Sequence, residues 1–109
     1  MKYALLMSLL SFNLYALEYE VKHENDKVCV SKIKIMPQEE IGLHYDVYPQ
    51  YVVALKGGTL TRLEINGSAT EVEFPTGEVV YRPSESADKQ HRTVNRTENP
   101  IELVIVQVK

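Results

Sequence analysis

The chain has 109 residues, of which 44% are hydrophobic and 25% are charged, and this composition is that of an ordinary globular domain. The length excludes a two-domain enzyme. The formal net charge is -3, and the 12 Lys and Arg residues are scattered, so nucleic acid is not an expected partner. The single cysteine, Cys29, excludes an intramolecular disulfide and a CxxC metal site. Any metal ligands must therefore be His, carboxylate or amide groups, and the flanking Val28 and Val30 indicate that Cys29 is buried within a strand.

The first sixteen residues have the pattern of a secretory signal peptide, MKYALLMSLLSFNLYA, with Lys2 at the start, an apolar run and the small Ala16 at the end. The apolar run is shorter than the ~20 residues that cross a bilayer, so no stable membrane span is expected. We expect cleavage after Ala16, which leaves residues 17–109 as one periplasmic or secreted domain. The alternative is an N-terminal helix of a cytosolic protein that packs on the domain.

The remainder of the chain predicts an all-β fold. From Val28 onward, short β-branched and aromatic runs are bounded by Gly, Pro and Asn, and no segment keeps a 3.6-residue apolar period. About eight strands of this kind suit a small barrel or jelly roll. Asn66-Gly67 predicts a hairpin, and the last strand is apolar enough to be buried on both faces. The expected strands are residues 28–36 with a bulge near 31–32, 43–48, 51–55, 59–65, 69–74, 78–81, 93–95 and 101–108.

Polar side chains at even positions suggest a metal site. His44, Asp46 and Gln50 would share one face of an extended strand, and His91 would bring a second imidazole. Two imidazoles, a carboxylate and an amide oxygen can bind a divalent transition metal, and two His with one carboxylate is the arrangement associated with non-haem Fe(II). The alternative is a set of polar residues at a barrel mouth, hydrogen-bonded to one another and to water.

The spacing of this first group resembles motif one of the small single-domain, RmlC-like cupin family, G(X)5HXH(X)3-4E(X)6G. It is matched by His44-Tyr45-Asp46, then Gln50 after three residues and Gly57 after six more. The resemblance, which covers about residues 28–109, implies a double-stranded β-helix, that is, a jelly-roll barrel with a metal bound inside it.

The second cupin motif, G(X)5PXG(X)2H(X)3N, is matched by Gly77 and Pro83 and, after a longer loop, by His91 and Asn95. The resemblance therefore implies that His44, Asp46, Gln50 and His91 hold a divalent transition metal, whether Fe, Mn, Ni, Cu or Zn. Such an ion would act as a Lewis acid or activate water or O2. Small cupins often form homodimers, so a second copy is an expected partner along with a small polar molecule.

Three departures from the family pattern bear on function. Asp46 stands where the family has its second histidine, Gln50 where it has glutamate, and Gln38 where motif one has its first glycine. They leave open a non-catalytic binding module, for a sugar or an organic acid, with a degenerate metal site. His44, Asp46 and His91 also resemble the HxD...H triad of the 2-oxoglutarate oxygenases, but those enzymes need a longer chain and a basic residue for the co-substrate carboxylate.

Several further residues carry expectations. Tyr48 and Asn95 are candidates for substrate contact, and Tyr48 alternatively fills the barrel. Glu85 and Asp88, in the polar loop 84–92, are a possible acid and base or are simply solvated. We expect His23 on the surface. The sequence has no nucleophile elbow and no phosphate-binding glycine loop, and the catalytic residues stay unknown. An apolar outward face must be covered by the opposing sheet or by a second subunit and would allow an assembly role; it consists of Tyr51, Val53 and Leu55.

Overall fold

The computed structural model describes residues 17–109, so the expected signal peptide, residues 1–16, lies outside the described residues. In the part of the chain that is described, no helix is long and apolar enough to cross a lipid bilayer. A single-turn 3-10 helix, Ala87–Lys89, lies between the seventh and eighth strands. The strands are β1 Glu18–Glu24, β2 Val28–Ile35, β3 Glu40–His44, β4 Gln50–Lys56, β5 Gly58–Glu64, β6 Ala69–Phe74, β7 Val79–Arg82, β8 His91–Val94 and β9 Ile101–Val108.

The strands form two antiparallel sheets. The five-stranded sheet has the order β1-β2-β9-β4-β7, and the four-stranded sheet has the order β3-β8-β5-β6. The chain crosses from one sheet to the other between β2 and β3, again between β3 and β4, and several times afterwards, as in a jelly roll. The all-β prediction is confirmed. The predicted hairpin at Asn66-Gly67 is confirmed as well: it joins β5 to β6, and Gly67 has a φ of +93°, a conformation that suits glycine.

The hydrophobic core lies between the inner faces of the two sheets. Because side chains alternate across a strand, β2 buries every second residue from Cys29 to Ile35. The same inner faces become polar toward the other end of the barrel, where β4 begins and β3 ends. The apolar end therefore stabilises the fold, and the polar end is available for a site. The core residues are Ile33, Ile35, Val52, Ala54, Leu60, Phe74, Ile101 and Leu103.

The predicted bulge near residues 31–32 is wrong. β2 pairs with β9 in unbroken register over its whole length, and the irregularity at this level lies on the neighbouring strand: the register of β1 against β2 shifts between Val21 and His23, opposite Ser31 and Val30. Small Cys29 and Ser31 occupy inward positions, and Val28 and Val30 face outward, so the apolar pattern changes phase while the backbone does not. Cys29 is buried, as predicted, and burial raises the pKa of its thiol.

The prediction that the last strand is buried on both faces is also wrong. Inward-facing Ile101 and Leu103 are buried, but outward-facing Val104 and Val106 are only half-buried and Val108 is exposed. β9 lies in the middle of its sheet, and its continuous apolar sequence reflects an outer sheet face that residues 17–109 cover only in part.

The turn before β3 is tied to the end of β8. Gln38, at the position of the first glycine of motif one, has a φ of +72°. This left-handed conformation is costly for a residue with a Cβ atom. Its N–H donates to the carbonyl oxygen of Asn95 at 2.7 Å, and the Asn95 N–H donates to the carbonyl oxygen of Glu39 at 3.0 Å. These bonds fix the start of β3 against the strand that carries His91.

Candidate metal centre

The two candidate histidines face each other across neighbouring strands. His44 ends β3, His91 begins β8, and the two residues are directly opposite in the antiparallel register. Their ring centroids are 4.5 Å apart, with an angle of 56° between the ring planes. His91 is buried and His44 is half-buried. The strand pairing thus brings together two imidazoles that are 47 positions apart in sequence.

Both imidazoles make the same kind of hydrogen bond, from Nδ1 to a main-chain carbonyl oxygen two residues earlier in the chain. Nδ1 of His44 lies 2.7 Å from the carbonyl oxygen of Gly42, and Nδ1 of His91 lies 2.9 Å from that of Lys89. A carbonyl oxygen only accepts hydrogen bonds, so Nδ1 must carry the proton in each ring. In the neutral imidazole, Nε2 then has a free lone pair, which is the tautomer that a metal-ligating histidine needs.

Asp46 completes the group, although not in the way the sequence predicted. The expected strand 43–48 ends at His44, and Asp46 lies in the irregular connection to β4. Its Oδ1 is 3.8 Å from Nε2 of His44, and one ligand atom from each of His44, Asp46 and His91 lies within 4.8 Å of the others. Donors to one transition metal, with bonds of about 2.0–2.2 Å, lie roughly 3–4 Å apart. The His44–Asp46 pair has this spacing, and the three residues could hold a metal ion once their ligand atoms move slightly closer together.

Gln50 is the first residue of β4, which belongs to the five-stranded sheet, whereas His91 belongs to the four-stranded sheet. It pairs with Arg82 on one side and Gln107 on the other, and alternation places it on the inner face with Val52. Gln50 is half-buried at the same end of the barrel as His44. Its role as a fourth ligand stays a prediction.

The two candidate substrate contacts occupy different environments. Asn95 is fully buried, and its side chain is bonded to Ile35, Thr97 and Asn99. This location does not fit the predicted substrate contact, because every polar atom of the side chain is used within the protein. Tyr48 lies in the connection after β3 and is 37% exposed. Whether Tyr48 fills the barrel or contacts a substrate stays a prediction.

Three charged side chains form a network beside the histidines, and of these the sequence had pointed only to Glu85. Arg62 donates from Nε to Oε2 of Glu64 at 2.5 Å, and its Nη1 lies 2.6 Å from Oε2 of Glu85. Oε1 of Glu85 lies 3.6 Å from Nδ1 of His91. Arg62 and Glu64 are two residues apart on β5, beyond buried Leu60 on the same face, and this alternation is the signal that would have placed them inside.

The network holds its members in their charged forms. Burial disfavours the charge of Arg62, but hydrogen bonds to Glu64 and Glu85 outweigh it and raise the pKa of the guanidinium. The hydrogen bond from Arg62 lowers the pKa of Glu64. For Glu85, burial raises the pKa, and bonds from the Asp46 N–H and from Arg62 more than compensate, so the net shift is downward.

Arg62 bears on the oxygenase alternative. An oxygenase of that type needs a basic residue for the co-substrate carboxylate, and the alternation along β5 directs Arg62 inward. Its guanidinium already binds two carboxylates of the chain itself. A co-substrate would have to displace one of them, so the geometry gives that alternative no support.

No protein-family model and no curated protein matches the sequence. Solved structures do resemble it. A cupin domain from Bordetella pertussis Tohama I aligns with a TM-score of 0.74 at 22% identity, covering 85% of this chain and 93% of that one. An RmlC-like cupin family protein with a double-stranded β-helix fold from Methanocaldococcus jannaschii aligns with a TM-score of 0.64 at 16% identity, covering 91% and 85%.

A third similar structure is the polyketide cyclase RemF from Streptomyces resistomycificus, with a TM-score of 0.61 at 14% identity. It covers 84% of this chain, which spans 64% of the cyclase. At these identities the similarity shows the fold. The chain therefore has the cupin fold, a small double-stranded β-helix, and it groups His44, Asp46 and His91 at one end.

Proposed function

We propose that this chain binds one divalent transition metal through His44, Asp46 and His91, and that it binds or transforms a small polar molecule beside the metal. The observation that carries the proposal is the matched pair of imidazoles. Each has Nδ1 bonded to a main-chain carbonyl and Nε2 free, and a carboxylate lies within ligand distance. When bound, the ion would supply Lewis acidity for a substrate oxygen or for water.

The chain's own residues define the surroundings of such an ion. His91 is buried, so one side of the site is shielded from water, whereas the half-buried His44 and Asp46 border the opening. Two His and one carboxylate fill three positions, and ligand sets of this type leave positions for substrate or water. Gln50, a neutral and weaker donor than the glutamate of the cupin motif, is proposed as a further ligand.

The first test is elemental analysis of residues 17–109, purified without an affinity tag. We expect close to one equivalent of Fe, Mn, Ni, Cu or Zn per chain, and loss of that metal in the His44→Ala, His91→Ala double variant. His23→Ala is the matched control, because His23 is exposed on β1, in the sheet that carries neither His44 nor His91, and its variant should keep the metal. Metal-free protein that also fails to take up any of these ions would contradict the proposal.

That negative result would favour the alternative, a non-catalytic binding module that keeps the barrel but has lost metal affinity. The replacement of the motif's glutamate by Gln50 is the feature that favours it. A panel of sugars and organic acids, screened by thermal shift with the metal-free protein, would then identify the ligand class, because a ligand that binds only the native state raises the melting temperature.

We also propose a homodimer that covers the outer face of β4 and β7. Tyr51 and Tyr81 pair there with ring centroids 5.2 Å apart, yet they are 45% and 53% exposed. Val79 and Leu55 are exposed on the same face, and contiguous apolar surface of this kind marks interaction sites. Light scattering after size exclusion should give twice the chain mass for the parent and the chain mass for Tyr81→Glu. Ile65→Glu, at an exposed hairpin tip, should stay dimeric; a monomeric parent would contradict the proposal.

Export is proposed from residues 1–16 alone. Expression of residues 1–109 in a Gram-negative host, followed by mass spectrometry of the periplasmic fraction, should give a mature form that begins at Leu17. Recovery of the uncleaved chain from the cytosol would contradict the proposal.

A further inference from the structure

Asp46 differs from the two histidines because it lies outside any strand, in the connection between β3 and β4. Both main-chain hydrogen-bonding groups of Asp46 are bound by one distant residue, Glu85. The Asp46 N–H donates to Oε1 of Glu85 at 3.1 Å, and the Asp46 carbonyl oxygen accepts from the Glu85 N–H at 2.7 Å. The two residues are 39 positions apart, and Glu85 lies in the segment between β7 and the 3-10 helix.

Glu85 is itself anchored to the four-stranded sheet. Its Oε2 lies 2.6 Å from Nη1 of Arg62, and the other edge of that guanidinium is bound by Glu64 at 2.5 Å. The side chains of Glu85 and Arg62 are only 15% and 13% exposed. Glu64 is opposite His91 in the register of β5 and β8. A continuous set of contacts therefore connects the strand pair beside His91 to the main chain of Asp46.

We infer that Glu85 is a positioning residue, which holds the main chain of Asp46 so that its carboxylate stays within ligand distance of His44 and His91. The inference rests on the proposed metal function. Without Glu85, residues 45–49 would have the freedom of an exposed loop, and binding a metal would require ordering them. Loss of residues that orient metal ligands typically lowers metal affinity about 10–100-fold.

The test is a titration of the metal-free protein with Co2+, followed by its visible absorption. We expect Glu85→Ala to raise the dissociation constant about 10–100-fold. Glu85→Gln should recover part of this loss, because its amide oxygen can still accept from the Asp46 N–H. Asp88→Ala is the matched control: Asp88 is an exposed acid of the same loop that bonds only locally to Ser86, and its variant should keep the parent's affinity.

A double-variant comparison separates action through Asp46 from other routes, because Oε1 of Glu85 also lies 3.6 Å from Nδ1 of His91. If Glu85 acts through Asp46, Glu85→Ala should change the Co2+ affinity of the Asp46→Ala protein less than about two-fold, since coupled residues are not additive. An equal fold-loss in both backgrounds would overturn the inference.

A metal-free measurement distinguishes failure of this inference from failure of the proposed function. If the parent does not bind Co2+, the metal function is refuted, and the role of Glu85 is decided by hydrogen exchange of the Asp46 amide. Glu85→Ala should speed that exchange at least ten-fold while the amide of core residue Ile33 exchanges as before. Unchanged exchange at Asp46 would overturn the inference, and Glu85→Gln provides the same comparison if the alanine variant does not fold.

Discussion

Replacing Asn95 by alanine should lower the free energy of unfolding more than the same substitution at an exposed turn residue does. The side chain is 0% exposed and makes four hydrogen bonds. Its Nδ2 donates to the carbonyl oxygens of Ile35 at 2.9 Å and Asn99 at 2.8 Å. Its Oδ1 accepts from the N–H of Thr97 at 2.9 Å and from its hydroxyl at 2.6 Å. Alanine removes all four bonds and replaces none of them.

The magnitude follows from these bonds. Each buried hydrogen bond contributes about 1 kcal/mol net, so the variant should lose about 4 kcal/mol in free energy of unfolding. That is a large part of the ~5–15 kcal/mol that stabilises a typical domain. For a domain of this size, about 4–8 °C is lost per kcal/mol, which predicts a melting temperature roughly 15–30 °C below that of the parent.

Asn66 provides the matched control. Its Oδ1 also accepts from the N–H and hydroxyl of the residue two positions later, Ser68, at 2.9 and 2.8 Å, but Asn66 is exposed in the β5–β6 turn. Urea unfolding followed by circular dichroism should show that Asn66→Ala loses less than about 1 kcal/mol. Equal losses for Asn66→Ala and Asn95→Ala would refute the reasoning, because burial and the two Nδ2 bonds would then contribute nothing.

Two further predictions concern the backbone. Gln38→Gly should raise the free energy of unfolding by about 1 kcal/mol, because glycine adopts a φ of +72° without the steric penalty of a Cβ atom; urea midpoints should show this gain, and a midpoint at or below the parent's would contradict it. Gly57→Ala should lower the free energy of unfolding by about 3 kcal/mol or more, because its Cβ would lie 2.0 Å from the carbonyl oxygen of Phe74. Gly42→Ala, whose Cβ meets nothing within 4 Å, is the control, and equal thermal stability of the two alanine variants would contradict the expectation.

The fold was predictable because its signals are local. Alternation of apolar residues, the glycine and proline boundaries and the Asn66-Gly67 turn each act over a few residues, and together they predict a jelly roll. The errors arose where the apolar residues of a strand are not the ones that the fold buries. In β2 the inward positions near the polar end hold Cys29 and Ser31 instead of large apolar residues, so the outward valines suggested a bulge that the strand does not have.

The site was predictable in part for the same reason. The spacing of the two cupin motifs identified His44 and His91. Each lies at a strand end, and the register of β3 and β8 places them opposite each other. Glu85 was a candidate acid or base from the sequence, but its contacts to Asp46 and Arg62 could not be predicted. These contacts join two irregular segments to a strand, and no periodicity in the chain encodes a contact between loops.

The measurement that tests the central claim most directly is an anomalous difference map from crystals of residues 17–109 soaked in Co2+, collected at the cobalt edge. We predict one strong peak per chain, in contact with Nε2 of His44, Nε2 of His91 and the carboxylate of Asp46. A peak at other residues only, or no peak in crystals that took up cobalt-containing solvent, would contradict the assignment of this group as a metal site.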